Sequence, residues 1–337
     1  YAQKQIVQKI KPKNFKQIVD ALAISRPGAS SFLGQYLDYI HHDTYKPIHP
    51  LIDPILKETG GVCLFQESLL KMVNAVGMDL ENCENLRRAI GKKDPEKIQE
   101  YKQKIYEVCK QNNHPIEVAD LIWKIADESS GYQFALSHST AYAKLCCQTI
   151  FLKTNYPREF FLCLLRMAKH EPNFNEIINE ITNELKYFGI KLMSPDILKS
   201  DTEFQLEGED GIRFSLGAIR GISDKKIDKL KEFKHEYSSK FDVFQSAKEA
   251  GLDVGSVSAI IQSGCLDSYL FNSTRSKLVF ELNTYNLLTV REKKKVNELG
   301  KEFNYGLFEI LKHLKTTTNE KGKPFFKESR IETIREK

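Results

Sequence analysis

The sequence predicts a mainly α protein with a small β-hairpin. Three observations carry that expectation. Apolar residues recur at helical spacing through residues 1–195, and the turn-forming run Gly208-Glu209-Asp210-Gly211 lies between two short strand-like segments. Beyond it, short helical stripes alternate with glycines.

Taken in order, Leu69, Leu70, Met72, Val73 and Val76 form one helical stripe. Ile98, Tyr101, Ile105 and Val108 form a second, and Val118, Leu121, Ile122 and Ile125 a third. Ile177, Ile178, Ile181 and Leu185 make a fourth, which Gly189 stops. Between the early helices, His41 to Pro54 reads as a loop, and its histidines (His41, His42, His49) lack metal-ligand spacing. Phe204-Gln205-Leu206 and Ile212 to Leu216 read as the two arms of a hairpin. Helices are expected over Val254 to Ile261, ending near Gly264, and over Ser273 to Leu288. From Arg291 to Lys337 the chain is lysine-rich, polar and irregular, apart from the stripe Phe308, Ile310, Leu311 and Leu314. The expected division is therefore a helical domain over 1–195, a hairpin with helices over 196–285, and a linker or truncated start of a further domain over 286–337.

At 337 residues the chain is long enough for two domains with cores of their own. A net charge of +5 permits contact with nucleic acid without demanding it. No apolar run approaches the length of a membrane span. Tyr1-Ala2-Gln3-Lys4 shows neither an initiator methionine nor a signal sequence, so the chain reads as a piece of a longer protein. Seven cysteines are scattered without C-x-x-C spacing, and Cys63, Cys146, Cys147 and Cys163 lie among apolar residues. They read as buried free thiols of a reducing compartment, with no metal site.

Two motifs carry candidate chemistry. Leu86-Arg87-Arg88-Ala89-Ile90-Gly91-Lys92-Lys93 packs four cations into eight residues with no carboxylate among them. On a helix Arg88 and Lys92 share a face. Gly91 suits a helix end, and Asp94-Pro95-Glu96 reads as the cap and first turn of the next helix. Cations so crowded repel one another unless an anion joins them, and the guanidinium fork suits phosphate oxygens; a solvated basic corner accounts for the same run. Downstream lies Gly131-Tyr132-Gln133-Phe134-Ala135-Leu136-Ser137-His138-Ser139-Thr140-Ala141-Tyr142-Ala143. Its Ser/Thr cluster reads as the cap of a helix from Thr140 to Asn155, whose N-terminus would offer backbone N–H groups to phosphate. The aromatic rings offer stacking surfaces for bases, although Tyr132, Phe134 and Tyr142 would equally serve a core.

Leu216-Gly217-Ala218-Ile219-Arg220-Gly221-Ile222-Ser223-Asp224-Lys225-Lys226-Ile227 is similar to a helix-hairpin-helix. In that motif a tight glycine turn points backbone N–H groups at a duplex phosphate, and nearby lysines add charge. Ser223 stands where a second turn glycine is usual. A purely structural helix pair is the alternative.

In this order the motifs resemble the fingers domain of the bacterial replicative DNA polymerase III alpha subunit, the family C polymerases. Arg26-Pro27-Gly28, Gly61 to Glu67, Leu86 to Lys93, Gln148 to Phe160, Pro195-Asp196 and Phe214 to Gly221 all match segments of that family, so the resemblance covers roughly residues 1–280. It implies a helical fingers domain followed by a helix-hairpin-helix duplex-binding region. It further implies that Arg87, Arg88, Lys92 and Lys93 contact the triphosphate of an incoming dNTP, with Ser137, His138 and Tyr142 near the triphosphate and the nascent base pair. Gly221, Ile222, Ser223, Lys225 and Lys226 would hold the backbone of the template-primer DNA.

In the family the catalytic Mg2+ ions are bound by paired aspartates of a palm domain that precedes the fingers. This chain has no Asp-x-Asp. The palm is expected upstream, in the same or a separate polypeptide, and this piece alone should not catalyse. A sliding clamp is the further expected partner, through a region beyond the C-terminus, and the cytoplasm the expected location. One departure stands out: the family usually has a lysine just before Ser-His, where this chain has Ala135-Leu136. The competing reading is a non-enzymatic DNA-binding module built on the helix-hairpin-helix.

Overall fold

Helices and their stop signals account for most of the molecule. The computed structural model describes residues 2–92, 94–129, 133–233, 235–270, 273–303, 306–318 and 322–336. The chain forms two compact units, Tyr1–Phe151 and Leu152–Lys337.

The first unit opens with α1 (Ala2–Ile10), α2 (Phe15–Ile24) and α3 (Leu33–His42). Asn14 starts α2 by accepting from Gln17 N at 3.0 Å, a cap contributing about 1 kcal/mol. Ile6, Ile10, Val19, Ile24 and Tyr36 bury against Val62, Leu64 and Phe65. Within that core Tyr36 donates to Asp20 at 3.0 Å, and Lys16 reaches the same carboxylate at 2.9 Å. The expected loop after His41 begins two residues late, because α3 runs through His42 before Asp43 turns left-handed.

After the short α4 (Asp53–Leu56) come α5 (Gln66–Ala75), α6 (Leu80–Lys92), α7 (Pro95–Gln111) and α8 (Ile116–Ser129). Their apolar stripes meet as expected: Leu69, Met72, Val73, Leu86, Ile105, Val118 and Ile122 share one core. Asp94 caps α7 by accepting from Lys97 N, with Pro95 in the first turn. The last helix, α9 (Leu136–Asn155), crosses the division between the units.

The second unit continues with α10 (Pro157–Ala168) and α11 (Phe174–Leu185), and the stripe on α11 ends before Gly189 at φ +69°. The predicted hairpin is present as β2 (Gln205–Glu207) antiparallel to β3 (Gly211–Arg213). A strand the sequence did not announce, β1 (Lys191–Met193), pairs parallel with β3, placing Leu192 beside Ile212. Three residues are too few for an alternation to show. Phe161, Leu165, Phe204 and Ile212 bury together beneath this sheet.

The remaining helices are α12 (Ile227–Phe233), α13 (Lys240–Glu249), α14 (Val254–Gln262), α15 (Arg275–Asn286), α16 (Val290–Phe303), α17 (Leu307–Thr316) and α18 (Glu328–Glu336). Among the described residues, the stretch from Arg291 onward is thus largely helical rather than irregular. Val296, Leu307, Ile310, Leu311, Leu314, Phe326 and Ile331 join the same core as Phe233, Phe241 and Ile260. The buried pair Lys240–Glu281, 2.8 Å apart, ties α13 to α15, and Glu281 also accepts from Leu307 N at the start of α17.

The cysteines correct one expectation. Cys63 is buried, and burial pushes its thiol up to about 11, but Cys146 and Cys147 are half-buried and Cys163 is exposed. The apolar neighbours of Cys163 lie along the sequence of α10, not around its side chain.

Candidate nucleotide and nucleic-acid interface

On α6, Cys83, Leu86 and Ala89 turn inward, which leaves Arg88 and Lys92 exposed four residues apart, as the spacing requires. Arg87, at the edge of the buried face, is already engaged. Its Nε and Nη2 donate to the two oxygens of Glu84 at 2.8 and 2.7 Å, and its Nη1 donates to Gln66 Oε1 at 3.2 Å. Arg88 Nε donates to the same Glu84 at 3.1 Å. The hydrogen bond from Arg87, then that from Arg88, draws the Glu84 carboxyl down to about 2 against the opposing effect of burial.

This corrects the expectation of a cation cluster without an anion. Glu84 lies just upstream of the run and serves both arginines. Lys93 lies outside the described residues, as do Gly131 and Tyr132.

Phe134 is held like a single-residue strand. Its N–H donates to Leu64 O at 3.1 Å and its carbonyl accepts from Gln66 N at 3.0 Å. The next residue along, Glu67, accepts from Leu136 N at 2.9 Å. That carboxylate starts α9 at Leu136, four residues before the expected Thr140, and it already occupies one N–H of the helix start. The Ser/Thr cluster lies inside the helix and does not cap it. Ser139 is buried and donates to Val19 O at 2.8 Å, while Ser137 is exposed.

An aromatic column begins at Phe134, just before α9, and continues along the helix through the fourfold spacing of His138 and Tyr142. The His138 ring lies 4.9 Å from Phe134 and 4.5 Å from Tyr142, and both His138 and Tyr142 are exposed. Tyr142 is therefore not core, and Phe134 is half-buried. At the column's end the Arg26 guanidinium lies 3.5 Å over the Phe134 ring.

The sequence reading did not assign Arg26, Gln66, Glu67 or Glu84 to the site. For Glu84 the signal was present, since it precedes Arg87 by three residues and Arg88 by four. For Gln66 and Glu67 no local signal exists, because Leu136 is 69 residues away.

The second candidate surface lies in the other unit. Gly221 adopts φ +99°, a conformation that strains any residue with a Cβ, and an added Cβ would also sit 3.3 Å from that of Ala259. Ile222 N donates back to Ile219 O at 3.0 Å, and Lys226 N to Ser223 O at 2.8 Å. The expected first arm is only a 3-10 turn, Leu216–Ala218. Gly221, Ser223 and Lys225 are exposed and Ile222 is half-buried. Lys226 is committed internally: its Nζ reaches Ser256 Oγ at 2.7 Å and Asp253 at 2.5 Å. Asp253 caps α14 by accepting from Ser256 N, and its carboxyl is drawn down to about 2, chiefly by Lys226.

Among the described residues no group of three or more His, Cys, Asp or Glu side chains could hold a metal ion. No described helix is long and apolar enough to cross a membrane.

Comparison with known proteins bears out the resemblance seen in the sequence. Residues 1–113 match the family model of the bacterial DNA polymerase III alpha subunit finger domain, and residues 189–278 match that of a helix-hairpin-helix motif. The chain is 31% identical over 274 residues to the DNA polymerase III subunit alpha of Aquifex aeolicus, covering 78% of this chain and 23% of that protein. It is 33% identical over 237 residues to the Mycoplasma genitalium subunit, covering 70% of this chain and 27% of the relative. The Borreliella burgdorferi subunit matches at 29% over 310 residues, or 90% of this chain and 26% of that one. The chain thus spans about a quarter of the length of the curated relatives it matches.

Proposed function

We infer that this chain, a relative of the DNA polymerase III alpha subunits across its fingers and helix-hairpin-helix segments, is the nucleotide-handling and duplex-holding portion of a replicative DNA-directed DNA polymerase. In this reading residues 1–195 act as fingers, and residues 196–285 hold the template-primer. Arg87, Arg88 and Lys92, with Lys93, grip the triphosphate of the incoming dNTP, while Ser137, His138 and Tyr142 meet its inner phosphates and base. Gly221, Ile222, Ser223 and Lys225 meet the duplex backbone, and Lys226 braces the turn rather than contacting phosphate.

One observation carries the reading. The Gln66-Glu67 segment bonds Arg87 of α6 through one side chain and the first turn of α9 through the next. Two motifs far apart in sequence thereby meet within a few bonds, as a nucleotide site requires. Glu84 acts there as a resident anion. A triphosphate offers the same guanidinium groups more charge and more acceptor oxygens, so the arginines exchange one partner for a better one.

Polymerisation implies Mg2+. The described residues do not fit that ion, and the sequence lacks paired aspartates. In our proposal Mg2+ belongs to a palm domain on the same or a separate polypeptide, and no step is assigned to it. A sliding clamp and the cytoplasm complete the proposed setting.

The test is thermal protection of the chain by dATP together with its affinity for a primer-template duplex. Protection by dATP that is lost in Arg87→Ala, with duplex binding retained, is the expected result. Duplex binding with no dATP protection would favour the non-enzymatic helix-hairpin-helix module.

A further inference from the structure

We propose that Arg26 is a third arginine of the nucleotide site and contacts the triphosphate directly. The inference rests on the reading that the α6 cradle binds a dNTP.

The charges of that cradle are largely spent. Glu84 holds both Arg87 and Arg88, and the neighbouring Glu67 caps α9. With both arginines already paired to a carboxylate, what the cradle has to spare is a poor match for a triphosphate. Arg26 is different: it is exposed and, among the described residues, has no carboxylate within ion-pair distance.

Its location follows from Phe134. That residue bonds through its backbone to Gln66, whose side chain accepts from Arg87, and it carries Arg26 on its ring. Phe134 is therefore the shared neighbour of the cradle and of Arg26. Stacking at 3.5 Å uses one flat face of the guanidinium and leaves its in-plane N–H groups available to oxygen. The backbone is held as well. Arg26 N donates to Ala23 O at 3.3 Å at the end of α2, Pro27 follows, and Gly28 takes φ +93°.

The position also bears on the departure in the sequence. Where the family usually places a lysine before Ser137-His138, this chain has Ala135-Leu136. Arg26 lies over the ring of the residue immediately before that pair, so a cation stands beside the segment even without that lysine.

Two variants separate charge from stacking. Arg26→Gln keeps a planar group over the ring without charge, and Arg26→Lys keeps charge without the fork. Calorimetric titration of each variant and of the parent chain, with tripolyphosphate, dATP and deoxyadenosine, reads the outcome. Expected for Arg26→Gln is about tenfold weaker binding of tripolyphosphate and dATP, unchanged binding of deoxyadenosine, and an unchanged ligand-free melting temperature. Arg26→Lys should retain most of the affinity. Equal losses for deoxyadenosine and dATP, or no loss for either, would overturn the inference while Arg87→Ala still abolishes tripolyphosphate binding. Should the parent chain bind no tripolyphosphate, the cradle reading falls, and Arg26 with it.

Discussion

The basic cradle on α6 and the glycine hairpin before α12 both hold cations in ion pairs, yet the pairs differ in kind. Glu84, Arg87 and Arg88 belong to one helix, so their ion pairs join no two elements, and breaking them leaves the Arg87 bond to Gln66 in place. Lys226 and Asp253 join two elements, and Asp253 also caps α14. A pair within a helix can be surrendered to a ligand at little structural cost. A pair between elements is part of the fold. The cations that a sequence advertises therefore divide into those available for binding and those already committed, and only the partners tell them apart.

The largest effect expected from breaking this contrast comes from the hairpin itself. Gly221→Val should destabilise the second unit by about 3 kcal/mol, from left-handed strain plus crowding against Ala259, read by urea unfolding. In the cradle, Arg87→Ala should weaken dATP binding by about 2 kcal/mol while costing no more than about 1 kcal/mol of stability, through the lost bond to Gln66. Asp253→Ala should cost about 1–2 kcal/mol of stability through the lost cap and leave dATP binding intact.

Acid sharpens the same point. Because the folded Asp253 carboxyl lies below its ordinary 3.8, its contribution is present above that pH and fades as pH falls toward about 2. Asp253→Asn should therefore flatten the acid limb of the unfolding midpoint. The smallest effect is expected from Glu84→Gln, which should change stability by about 0.3 kcal/mol. It should also tighten dATP binding, since the resident anion is gone; an unchanged affinity would mean that Glu84 does not compete with phosphate.

Local patterns were legible in the sequence. The stripes of α5, α7, α8 and α11 and the hairpin at Gly208 all depend on spacings of a few residues. So does the pairing of Glu84 with Arg87, which a reading centred on the run from Leu86 to Lys93 passes over. Long-range bonds were not legible: nothing near Leu136 tells that Glu67 will cap it. The lysine-rich end was misleading for a different reason. A helix lying on a core needs only one narrow apolar stripe, and Val296 on α16 or Ile331 on α18 is easily lost among charges.

The buried Lys240–Glu281 pair has a practical sequel. Its carboxylate also fastens the first amide of α17, whose leucines share the interior with the helix-hairpin-helix core. Anyone trimming the gene to residues 189–278 would strip away Glu281 together with that amide and its oily lid, leaving the Lys240 ammonium without its partner in a place made dry. The second unit should therefore be cloned with its lysine-rich tail attached.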